Sequence, residues 1–279
     1  MLKLKKIYVD TKYKTINSAS TSDFSIQLPE TIYMPDNSVF YISDCCIPHS
    51  WYTVETGIND KIYLQIRFNG FTFDVILTLD SKNYTGGDLA VEILTQLNKL
   101  TNFTDKFTIT YDTSRHQIFI MSDFGYTYKV LTKNDIFTQL NGTWGGVSYS
   151  TSNSCDINAY MLKLNMGTSP LYTSTNYFRS LSLDLQPIRN LYITSPNLGN
   201  FTTLGPNGQT SILKKVPVNA NYNCMIFDGI TSSNDFLDCS KQTLQNLEFR
   251  IENSRGEIIN LHGQEISFSI IFDILNKNS

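Results

Sequence analysis

What the chain lacks narrows its class first. It has no basic excess: 22 Lys and Arg stand against 25 Asp and Glu, a net charge of −3. A dedicated nucleic-acid binder carries a clear surplus of positive charge, which this balance argues against. No run of about 18 apolar residues occurs, so no membrane-crossing helix is expected. No apolar stretch follows the opening Met-Leu-Lys-Leu-Lys-Lys, so no secretory signal is expected. Ala is scarce, which argues against long helices. No G-x-S-x-G, no Walker loop and no H-E-x-x-H occurs. The five cysteines, Cys45, Cys46, Cys155, Cys224 and Cys239, form no CxxC pair. An odd set without a signal reads as reduced, mostly buried thiols.

What is present points to strands. Hydrophobic residues make up 41% of 279, enough for a substantial core and against general disorder. Tyr (16) and Phe (17) are plentiful beside Thr and Ile, the residues that pack best on a pleated surface. The length suits one large or two modest domains. Sequons at Asn83, Asn102, Asn141 and Asn200 are what an Asn- and Thr-rich chain produces by chance.

Along the chain, residues 1–22 are polar and Lys-rich, with Ile7 to Val9 as a short strand or docked arm. Phe24, Ile26 and Leu28 alternate with polar neighbours and meet Pro29, which is expected to stop that strand. Strands are also predicted over Val39–Ile47, Lys61–Phe68 and Phe71–Leu79. Residues 88–100 carry the one convincing helical pattern: Leu89, Ile93 and Leu97 recur every four positions. Thr85 and Asp88 have capping-box spacing. Phe107–Tyr111 and Gln117–Met121 flank Asp112-Thr113-Ser114-Arg115 as a hairpin. A strand or short helix is expected at Lys129–Phe137 and an apolar island at Tyr160–Leu164. Later strands are expected over Ser180–Leu185, Asn190–Ser195, Ile212–Val218 and Tyr222–Phe227. Two more follow, Leu247–Ile251 and Ile266–Ile274, around a polar turn. The last should insert into a sheet, because an unpaired apolar strand invites aggregation. About eight strands outside the helix-bearing unit fit a jelly roll, two Greek keys face to face.

Catalytic chemistry is hard to place. The best nucleophile candidate is Cys45, Cys46 and His49 in 44-DCCIPHSW-51. Adjacent residues on a strand face opposite sides, so one thiol should be in the core and the other should point away from it. The spacing suits neither a metal nor a triad, and a hydrolase built on it is the third-ranked reading. His116 and His262 fall in turns. Gly86-Gly87 could cradle a phosphate at the helix start, but the cap already accounts for both. No catalytic, cofactor-binding or metal-ligating residue is assigned, and no enzyme is expected.

The ordered set of strand patterns carries a resemblance. The block 7-IYVDTKYKTINSASTSDFSIQLPETIYMPDNSVFYISDCCIPHSWYTVE-55 resembles the start of penton (minor capsid) proteins of mavirus-like virophages and related Maverick/Polinton elements. The blocks 73-FDVILTLDSKNYTGGDLAVEILTQLN-98 and 107-FTITYDTSRHQIFI-120 look like the insertion module of those pentons. The blocks 181-LSLDLQPIRNLYITSPNL-198 and 247-LEFRIENSRGEIINLHGQEISFSIIFDIL-275 are similar to their later strands. The resemblance implies an all-β single jelly-roll sandwich with a small α+β insertion domain. It also implies homopentamers at the fivefold vertices of an icosahedral capsid, beside trimers of a separate double-jelly-roll major capsid protein. The expected place is the virion, after synthesis in the cytoplasm of an infected host cell.

The expected division is an N-terminal arm (1–22), jelly-roll strands (23–70), an insertion domain (71–165) and the remaining jelly-roll strands (166–279). The arm would reach neighbouring capsomers or DNA, and the insertion domain a host receptor or glycan. The alternative reading is a jelly-roll glycan-binding or host-attachment protein.

Overall fold

The computed structural model describes residues 5–123, 125–131, 143–144, 147–148, 177–186, 188–198, 201–206, 208–229 and 235–274. The chain forms two compact units, residues 1–51 with 188–279, and residues 52–187. The first unit opens with β1 (Lys5–Asp10), β2 (Asp23–Tyr33) and β3 (Ser38–Pro48). The second unit holds β4 (Lys61–Phe68), β5 (Phe71–Thr78), α1 (Gly86–Asn98), β6 (Phe107–Asp112), β7 (Gln117–Ser122) and β8 (Tyr126–Leu131). It continues with β9 (Thr143–Trp144), β10 (Val147–Ser148) and β11 (Tyr177–Arg179). The chain then returns to the first unit with β12 (Asn190–Thr194), β13 (Ile212–Pro217), β14 (Met225–Asp228) and β15 (Leu237–Asp238). It closes with β16 (Thr243–Glu252) and β17 (Ser267–Ile274).

The first unit is the expected jelly roll. One sheet runs β1-β17-β3-β14, with β15 also on β3; the other runs β13-β12-β16-β2, and every pairing is antiparallel. The chain passes between the two sheets repeatedly, which interlocks two Greek keys. Alternation along the strands supplies the core. Phe40, Ile42, Phe268 and Ile270 come from one sheet; Phe24, Leu247, Phe249 and Ile251 come from the other. Phe249 lies 5.0 Å from Phe268 and 5.5 Å from Phe24, ring centre to ring centre, a cluster that joins the layers.

The last strand pairs with β1 and β3, as its apolar pattern required. Its predecessor β16 lies in the other sheet, so the two closing strands face each other across the core instead of forming one hairpin.

Four expectations need correction. Residues 5–13 are no free arm: β1 lies beside β17, and Val9 is buried. Thr11 donates its N–H to the Ile266 carbonyl at 3.0 Å, and its Oγ1 accepts the Ile266 N–H at 2.9 Å. Two of its lysines find local partners, Lys5 with Glu30 at 2.5 Å and Lys6 with Asp44 at 3.5 Å. Second, Lys61–Phe68 does not belong to the jelly roll. It pairs with β5 and β8, which moves the boundaries of the inserted unit from 71 and 165 to 52 and 187. Third, Pro29 does not end its strand. The β2–β16 register shifts between Leu244 and Asn246, so Pro29 sits in a break of the ladder on an outermost strand, where its missing N–H costs little. Fourth, Ser180–Leu185 is no jelly-roll strand. It follows β11 along β7, with Ser180 N–H donating to the Ile118 carbonyl at 2.9 Å.

The inserted unit has sheets β5-β4-β8 and β11-β7-β6, with α1 beside β6. The helix buries Leu89, Ala90, Ile93 and Leu97, and the Thr85/Asp88 capping box is formed. Gly86 is fixed by packing: a Cβ there would lie 2.3 Å from the Tyr111 ring. Among the described residues no helix is long and apolar enough to cross a membrane. The expected element at Lys129–Phe137 is β8 as far as Leu131; its remainder, the island at Tyr160–Leu164 and Cys155 lie outside the described residues.

Candidate functional site

The candidate nucleophile segment lies at the end of β3. Cys45 is fully buried and Cys46 half-buried on the opposite face, as alternation requires. Burial pushes the Cys45 thiol up to about 12, against the opposing pull of Lys214. It therefore stays protonated at neutral pH and is no nucleophile. His49 is buried, with its Nδ1 2.8 Å from the Ala220 carbonyl oxygen and its ring 4.2 Å from that of Trp51. Burial lowers its pKa, while the bond to Ala220 partly offsets the shift. Cys45 and His49 build core, while Cys46 points to the outer face of the sheet. Beside it, Lys214 of β13 and Asp228 of β14 stand 3.6 Å apart with side chains 10% and 9% exposed. Lys214 also donates to the Ile42 carbonyl at 3.2 Å, so this buried pair ties the two sheets together.

The other candidates are scattered. His116 and His262 are exposed turn residues with positive φ. The Nδ1 of His116 lies 2.8 Å from the Tyr111 hydroxyl, and that of His262 lies 2.7 Å from the Ser50 carbonyl oxygen. Cys239 is buried and its thiol is likewise raised to about 12 by burial; Cys224 is exposed. No cluster of metal-ligating side chains occurs among the described residues. Asn83 of the first sequon is structural: its Oδ1 accepts the Thr53 N–H and hydroxyl at 2.9 and 3.0 Å.

The surfaces that stand out are the outer faces of the two jelly-roll sheets. On the β1-β17-β3-β14 sheet, outward positions carry Tyr8, Tyr41, Cys46, Ile271, Met225 and Phe227. Tyr8 is 75%, Phe227 61% and Met225 54% exposed. Lys6 and Asp44 neutralise one another on that face. Burial disfavours the charged form of Asp44, but hydrogen bonds from Ser43 and Ser269 together with Lys6 prevail and lower its pKa. The β13-β12-β16-β2 sheet presents a polar ladder instead. Asn246 stands opposite Gln27, Glu248 opposite Ser25, and Arg250 opposite Asp23. Sequence reasoning missed both faces, because each combines strands far apart in the chain.

The architecture is shared with a known capsid protein. The mavirus penton protein superposes with a TM-score of 0.51 over 98% of this chain and all of that one, at 12% identity. This likeness establishes a common fold. A complex of the two major capsid proteins of bacteriophage P23-77 aligns over the same shares at 5% identity, with a TM-score of 0.17, at which no common fold follows. No family model matches the sequence, and no curated protein matches it.

Proposed function

We propose that this chain is a structural capsid protein of the penton type, which forms homopentamers at the fivefold vertices of an icosahedral virion. The observation that carries the reading is the common fold with the mavirus penton protein, an alignment that takes in 98% of this chain. The raised thiol of Cys45 and the engaged imidazole of His49 are consistent with a role other than catalysis. The outer face of the β1-β17-β3-β14 sheet exposes Tyr8 at one edge and Met225 and Phe227 at the other, which gives neighbouring subunits apolar surface to bury. A heterologous contact closed by rotation makes a ring of the required kind. In this reading the partners are further copies of the chain and trimers of a double-jelly-roll major capsid protein, and the inserted unit is the part that meets a host receptor. Native mass spectrometry of the purified protein tests it. A five-copy species is expected, and Phe227→Asp should reduce it to monomers. A protein that stays monomeric at high concentration and never enters capsids overturns the reading.

A further inference from the structure

The polar sheet face is the floor of a groove. One wall is residues 13–19, which run along the free edge of β2. Thr15 N–H donates to the Ser25 carbonyl at 2.8 Å, and Ser25 N–H donates to Ser18 Oγ at 3.0 Å. The other wall is the turn after β12 that carries Pro196. Asn197 staples this turn to β16: its Nδ2 donates to the Asn246 carbonyl at 3.0 Å, and its Oδ1 accepts the Glu248 N–H at 3.0 Å. Both walls are therefore fixed before any ligand arrives, which spares the ordering cost of binding.

The lining has a specific chemistry. Tyr13 projects its ring at 74% exposure, and Ile16 is exposed beside it. Gln27, Asn246 and Glu248 make no side-chain hydrogen bond among the described residues. They supply amide donors, amide acceptors and a carboxylate on one face of the strand pair. Arg250 is held by Asp23 at 3.3 Å, which leaves the groove with an unbalanced negative charge from Glu248. An aromatic ring beside planar amide and carboxylate groups suits a ligand with one apolar C–H face and a rim of hydroxyls. The negative charge disfavours acidic ligands.

We propose that this groove, between residues 13–19 and Pro196 on the outer face of β2 and β16, is a binding site for neutral saccharides. The site lies on the jelly roll and not on the inserted unit. It stands or falls independently of the pentamer, since one chain supplies every wall.

Saturation-transfer NMR on the full chain tests it. The probes are lactose, cellotriose, maltotriose and triacetylchitotriose, with 3′-sialyllactose as the acidic counterpart. At least one neutral probe should receive saturation and sialyllactose should not. Tyr13→Ala should weaken the bound probe about tenfold, the loss of one aromatic face. Tyr13 is exposed, so this variant keeps its fold and its melting temperature. A double variant, Gln27→Ala with Asn246→Ala, should abolish the signal. Silence from every neutral probe, or a signal unchanged in both variants, overturns the proposal.

Discussion

The two units solve the problem of burying strands in opposite ways. The inserted unit builds each of its three-stranded sheets on a hairpin of neighbouring strands. Its hairpin β4–β5 closes through Asn69-Gly70, with φ of 49° and 81°, the left-handed pair that a tight two-residue turn requires. Its hairpin β6–β7 closes over Asp112 and the residues after it, where Asp112 Oδ1 accepts the Ser114 N–H at 2.8 Å. The jelly roll pairs the ends of the chain: Thr11 and Ile266, mutually hydrogen-bonded, are 255 positions apart. Local closure costs little chain entropy, whereas joining the ends costs more and comes late. The lesson is that the inserted unit can order itself within its own stretch, while the jelly roll waits for its final strand.

The largest effect should come from removing residues 267–279. That deletes β17, which sits between β1 and β3. The jelly roll should be lost, while limited proteolysis of the truncated chain should still yield a resistant fragment near residues 52–187. A soluble, cooperatively folded jelly roll without β17 breaks the contrast.

Core truncations sharpen it. Phe249→Ala empties the three-ring cluster and should cost about 3–5 kcal/mol, and Ile93→Ala on α1 about 2–5 kcal/mol. Calorimetry should show each variant lowering a different transition. Equal shifts of a single transition would mean that the units unfold together. Breaking the buried pair with Lys214→Ala should cost about 3 kcal/mol, because the buried Asp228 carboxylate loses the Lys214 ammonium beside it. The double variant Lys214→Met with Asp228→Leu should recover most of that loss in a urea titration. Thr85→Ala removes the helix cap, should cost about 1 kcal/mol, and should act on the inserted unit alone.

The smallest effect is that of pH. Burial holds the folded pKa of His49 below 6.5, its ordinary value. Below 6.5 the unfolded chain therefore takes up the proton more readily than the folded one. The stabilisation is complete above 6.5 and is lost as pH falls toward the folded value. Urea midpoints of His49→Gln should depend less on pH than those of the parent over this window; an identical slope would assign it to other groups.

How much of this was legible depended on range. The capping box at Thr85, the apolar stripe of α1 and the hairpin at Asp112 are local, and the sequence shows them. Alternation also marked β16 and β17 as buried strands. It could not say that they occupy opposite sheets, because alternation records burial and carries no address for a partner. The same blindness placed Lys61–Phe68 in the jelly roll, since its pattern of Ile62, Leu64 and Ile66 would serve either unit. Ile7 to Val9 did read as a short strand or docked arm, but the lysines around them drew residues 1–22 into an arm set apart from the core. The groove was not legible at all: Tyr13, Gln27 and Asn246 meet only once the fold has brought β2 beside β16.

The segment 13–19 has one more consequence. A sheet edge with free N–H and carbonyl groups is an open template, on which any neighbouring chain can add a strand without limit. At Ser25 this protein covers that template with its own backbone. The cover steers any self-association at this edge away from strand addition, which can run on as a fibre, and toward side-chain surfaces, whose geometry sets how many copies can meet.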